Sequence, residues 1–69
     1  MDDDLNMSMR KFLKQVGVTS QQAIEAAVRD AREAGTLPDG PMTAKVVLTV
    51  DGLDLTHEVE GRIVTGDPA

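Results

Sequence analysis

Between Thr43 and Val59 the chain alternates apolar and polar residues on both sides of Asp51-Gly52. Ala44, Val46, Leu48 and Val50 alternate with Thr43, Lys45, Val47 and Thr49. Leu53, Leu55, His57 and Val59 alternate with Asp54, Thr56, Glu58 and Glu60. Side chains on a strand point to opposite faces with a period of two. Asp-Gly suits the positive φ angles of a two-residue type I′ turn. The pattern therefore predicts an antiparallel β-hairpin with strands 43–50 and 53–64. Its expected register sets Val50 opposite Leu53, Leu48 opposite Leu55, Val46 opposite His57 and Ala44 opposite Val59. Lys45 would pair with Glu58 and Thr49 with Asp54 on the polar face. Ile63 keeps the parity of Leu55 and Val59, which carries strand 2 to Val64.

Upstream, Leu5, Met9, Phe12, Leu13 and Val16 recur at helical spacing. They predict a first helix over 6–16, with Asn6 or Ser8 as its N-cap and Gly17 as a left-handed residue after its end. Thr19 and Gln22 have the spacing of a capping box, and Val18 and Ala23 that of a hydrophobic staple. A second helix over 20–34 follows, with Ile24, Ala27, Val28 and Ala31 on one face and Gly35 at its end. Glu25, Arg29 and Glu33 would form an outer ladder of ion pairs. Thr36 to Pro41 is rich in turn formers. The ends, 1–4 and 66–69, read as disordered. The order α-α-β-β gives an α+β fold, an αα-hairpin packed on one face of an antiparallel β-hairpin, as a single domain over 1–69. The expected core is Leu5, Met9, Phe12, Leu13, Val16, Ile24, Ala27, Val28, Ala31, Val46, Leu48, Val50, Leu53, Leu55, Val59 and Ile63.

Size limits such a core. A chain of 69 residues buries only about 60% of its unfolded surface. Disulfides, metals or oligomerisation often supplement cores of this size. There is no cysteine, and there is one histidine and one aromatic residue, Phe12. Oligomerisation is the supplement this composition favours. A homodimer is expected, with the sheet extended across two copies. Strand 2 would overhang strand 1 at Gly61, Ile63 and Val64, which makes these residues the candidate dimer edge. No residue is a candidate for catalysis, for a cofactor or for a metal, and the chain is expected not to be an enzyme.

The net charge of −5 disfavours nucleic acid and anionic membrane surfaces as partners. No run of apolar residues reaches the ~20 of a membrane span, and the acidic opening is unlike a secretory signal. Cytoplasmic residence is the expectation. Arg10, Lys11 and Lys14 form a basic cluster on the first helix. It is either a solvated face or a docking patch for an acidic partner protein. His57 falls on the apolar face, where a lone histidine is a structural residue.

Val16 to Gln22 is similar to the turn of a helix-turn-helix, with Gln21, Gln22 and Arg29 in recognition positions. A DNA-binding regulatory module is thus the alternative reading. Glu25 and Glu33 on the same helix oppose it, since they would meet phosphates. The favoured function is a small non-catalytic module for self-association or partner protein binding.

The stretch Asn6-Met7-Ser8-Met9-Arg10-Lys11-Phe12-Leu13-Lys14-Gln15-Val16-Gly17-Val18-Thr19-Ser20-Gln21 resembles the opening of a family of small bacterial proteins known only as a domain of unknown function. The resemblance extends in outline over most of the chain. It implies a bacterial, intracellular protein, and it carries no catalytic residue, ligand or partner.

Overall fold

The structure is a computed structural model that describes residues 3–64. It contains one helix, α1, over Asp3–Ala34, and two strands, β1 over Met42–Thr49 and β2 over Thr56–Ile63. The fold is α+β, as expected, but the αα-hairpin is not present. The helices expected over 6–16 and 20–34 are one helix of 32 residues. The chain divides into two compact units, Met1–Leu37 and Pro38–Ala69. They hold the helix and the hairpin respectively.

The helix passes through the expected break because nothing there forces one. Gly17 is absent from the glycines with positive φ, so it does not adopt the left-handed conformation of a helix end. A glycine inside a helix costs about 1 kcal/mol relative to alanine, which a long helix absorbs. Thr19 does not cap. Its Oγ1 donates to the Gln15 carbonyl at 2.8 Å, one turn back. Ser8 also bonds backwards, to the Leu5 carbonyl at 3.0 Å. The apolar stripe explains the continuity best. Positions 5, 9, 12, 16, 20, 23, 27, 31 and 34 follow one another in steps of three or four. They hold Leu, Met, Phe, Val, Ser and then four alanines. This is one helical face running from end to end.

Asp3 and Asp4 form the first turn and Arg32 lies in the last, each sign at the favourable end of the helix dipole. The disorder expected at 1–4 therefore does not hold for these two residues, and residues 1–2 and 66–69 lie outside the described part. Gly35 ends the helix as expected, with φ 75°. Its N–H donates to Arg32 O at 3.2 Å, and the Thr36 N–H donates to Ala31 O at 2.9 Å. These two bonds make a Schellman motif, which satisfies carbonyls that the end of a helix would otherwise leave open.

The strands are antiparallel and flush, from Met42↔Ile63 to Thr49↔Thr56. Val46 faces Val59, and Leu48 faces His57. This register is shifted by two residues from the expected one. Parity is kept, so every side chain stays on its expected face. The loop between Thr49 and Thr56 accounts for the shift. Leu53 N–H donates to Val50 O at 3.1 Å, which closes a turn on Asp51-Gly52 as the sequence suggests. Only Gly52 has positive φ there, 90°, whereas a type I′ turn requires it at Asp51 as well. A single positive φ at the second central position belongs to a type II turn. Type II turns splay the strands they join. The ladder ends at Thr49↔Thr56, one residue short of the expected end of β1 and three past the expected start of β2; this asymmetry is the two-residue shift, and Val50, Leu53 and Leu55 lie in the loop instead of the strands.

Candidate interaction surfaces

No described residue is fully buried. The expected core residues instead form two exposed or half-buried apolar faces, one on each unit. On α1, Leu5, Met9, Phe12, Leu13 and Ile24 are exposed, with Phe12 at 51%. Val16, Val28 and Ala31 are half-buried. Along its centre this stripe is large-sided in its first half and small-sided in its second, with Ile24 and Val28 at one margin. Sequence reasoning gave its two halves to separate helices and so missed Ser20, Ala23 and Ala34 as links between them.

On the hairpin, Met42, Ala44, Val46 and Leu48 share a face with Ile63, Gly61, Val59 and His57. Val46 and Val59, directly opposed, are 48% and 50% exposed. His57 keeps its expected face but is itself exposed, opposite Leu48 and not Val46. The other face carries Thr43, Lys45, Val47 and Thr49 with their β2 partners Arg62, Glu60, Glu58 and Thr56. Lys45 stands opposite Glu60 and reaches diagonally to Glu58, Nζ to Oε1 3.6 Å. The two ends of this ion pair are about half exposed, so it contributes little, ~0–1 kcal/mol. Thr49 faces Thr56, and Asp54 lies in the loop.

The basic cluster is exposed throughout. Arg10 and Lys14 are one turn apart on one side of α1, and Lys11 lies further round. The ladder expected from Glu25 to Glu33 is not formed at its start. Gln21 Nε2 donates instead to Glu25 Oε2 at 3.2 Å. The helix-turn-helix reading loses its turn, because Gln21, Gln22 and Arg29 lie on the same unbroken helix as the supposed first helix.

The overhang that motivated an edge at Gly61, Ile63 and Val64 is absent. Gly61 faces Ala44, Ile63 faces Met42, and Val64 lies just beyond β2. Among the described residues, no three His, Cys, Asp or Glu side chains converge to hold a metal ion. No described helix is long and apolar enough to cross a membrane.

The chain matches a known family model over residues 1–66, nearly its whole length. The chain belongs to the DUF6494 family. That family is described as one of unknown function. No curated protein and no solved structure matches the chain. The DUF6494 chain therefore brings no transferred activity, and its chemistry has to be read from its own surfaces.

Proposed function

We propose that this DUF6494 protein is a small non-catalytic binding module that associates with itself through its apolar faces. The observation that carries the reading is the exposure of its large hydrophobic residues. Leu5, Phe12 and Leu13 on the helix, and Val46 and Val59 on the sheet, are each about half exposed or more. Isolated exposed hydrophobes are ordinary, but contiguous apolar stripes mark surfaces that another polypeptide covers. A helix with one apolar stripe draws most of its stability from packing that stripe, and a two-stranded sheet alone is marginal in water.

The residue stock agrees with a non-catalytic role. With no cysteine and one exposed histidine, the chain offers few nucleophiles or general bases near neutral pH. A bacterial cytoplasmic setting belongs to the same proposal; the likeness of Asn6 to Gln21 to a family of small bacterial proteins supports its bacterial part.

Sedimentation equilibrium over a hundredfold range of micromolar concentrations tests the reading. The expected result is a mass that approaches twice the chain mass of 7.4 kDa as concentration rises. A mass of one chain at every concentration and salt level would overturn self-association.

A further inference from the structure

We infer that the apolar stripe of α1 is covered by the same stripe of a second copy, with the two helices antiparallel. This rests on self-association and specifies its surface and its geometry. Three observations carry it.

The first is area. A helix of 32 residues is about 48 Å long at ~1.5 Å per residue. A stripe about 100° wide on a cylinder of ~10–12 Å diameter then offers about 420–500 Å² per copy. The pair buries about 840–1,000 Å², the lower limit of a specific interface and the size of a weak, concentration-dependent one. Either of the two shorter helices expected from the sequence would fall well below that size.

The second is the gradient of side-chain size along the stripe. Along the centre of the stripe Leu5, Met9, Phe12 and Val16 occupy one half, and Ala23, Ala27, Ala31 and Ala34 the other, with Ile24 and Val28 at its margin. A parallel pair would set Phe12 against Phe12 at one end and alanine against alanine at the other. The spacing between helices depends on the side chains at the contact, so such a pair would splay at one end and close at the other. An antiparallel pair centred between Thr19 and Ser20 sets large against small along its whole length. Leu5 comes level with Ala34 of the second copy, Phe12 with Ala27, and Val16 with Ala23. Large facing small is how packed layers interdigitate without voids.

The third is charge. A parallel pair brings the acidic first turn level with itself and aligns the two helix dipoles. The antiparallel pair instead brings the acidic first turn of each helix toward the last turn that holds Arg32, and it opposes the two helix dipoles.

The absence of cysteine makes cross-linking a clean test. Val16→Cys and Ala23→Cys are purified separately, one isotopically labelled, then mixed in a glutathione redox buffer. The antiparallel pair predicts that the mixed disulfide dominates. Val16→Cys alone should cross-link poorly, because its two copies are offset by about 10 Å along the axis, beyond the ~7 Å that a disulfide spans. Efficient cross-linking of Val16→Cys to itself, without preference for the mixed pair, would show parallel helices and overturn the inference. Absence of both disulfides in a protein that sediments as a dimer would place the interface elsewhere, so the inference would fail while self-association stands. A monomeric wild type would remove both.

Substitutions of size give an independent readout. Ala27→Leu should crowd Phe12 of the second copy and weaken the dimer on the order of tenfold. Phe12→Ala together with Ala27→Leu should recover most of that loss. A dimer tightened by Ala27→Leu alone would contradict the antiparallel arrangement.

Discussion

Replacing Val18 by proline is expected to remove more than about half of the helical circular dichroism at 222 nm. Val18 lies near the middle of Asp3–Ala34, where its N–H bonds one turn back. Proline lacks that N–H, and its ring clashes with the carbonyl four residues earlier, at a cost of about 3 kcal/mol. The loss does not stay local. It leaves two helices of roughly fifteen residues, which are marginal alone in water. It also breaks the phase between the large-sided and the small-sided halves of the stripe, so association should weaken with it. A chain that turned at Gly17 would behave differently. Val18 would then precede an N-cap at Thr19, a place where proline does little harm. Retention of the full helical signal in Val18→Pro would therefore show a turn at that point.

Gly52→Val is expected to destabilise the hairpin by about 1–2 kcal/mol, because a branched side chain must be held at positive φ. No heavy atom lies within 4 Å of where a Cβ would stand, so the cost is backbone strain and not a clash. Gly52→Asn should accordingly cost less than Gly52→Val, since asparagine tolerates that conformation better. The companion variant Asp51→Pro separates the two turn types. Proline is favoured at the first central position of a type II turn, whereas a type I′ turn requires positive φ there, which proline cannot adopt. Chemical denaturation should show Asp51→Pro within about 0.5 kcal/mol of wild type and Gly52→Val well below it. A collapse of Asp51→Pro, with Gly52→Val unaffected, would contradict the observed turn.

These two variants fall where sequence and structure part company. The hairpin was legible because alternation by two is preserved by any even shift of register. Val46, Leu48 and Val59 are on the face that their parity predicts, although their partners changed. The shift itself was hidden because the ladder leaves unequal lengths on the two sides of Asp51-Gly52, Val50 on one and Leu53, Asp54 and Leu55 on the other, and alternation by two does not record that inequality. The helix was misread for the opposite reason. Gly17, Thr19 and Gln22 each obey a local rule for a helix end, and three local signals outweighed a longer-range one. The longer-range signal was present. The stripe keeps its phase from Val16 through Ser20 and Ala23 to Ala27, which a turn of arbitrary length would have disturbed. Ser20 and the alanines are weakly hydrophobic, so the continuity is faint when only large residues are counted.

The interaction surface was legible only in part. Leu5, Met9, Phe12, Leu13 and Val16 lie on one apolar face of α1, as their spacing predicts. The small-sided half of the stripe acquires its meaning only once the helix is continuous. The basic residues Arg10, Lys11 and Lys14 were placed correctly on the helix. What they could meet follows from the direction of a neighbouring helix, which no local pattern contains.

Everything proposed for association depends on α1 running unbroken through residue 17, and one substitution reports on that with a sign. In a continuous helix Gly17 has helical dihedrals, and no heavy atom lies within 4 Å of an added Cβ. Gly17→Ala should then raise stability to denaturant by about 0.5–1 kcal/mol and increase the helical signal. In an αα-hairpin the same residue would sit at positive φ after a helix end, and alanine would lower stability by a similar or larger amount. Denaturant unfolding of wild type and Gly17→Ala, followed at 222 nm at one protein concentration, makes the comparison. A midpoint moved upward is the result predicted here, and a midpoint moved downward would contradict the single helix.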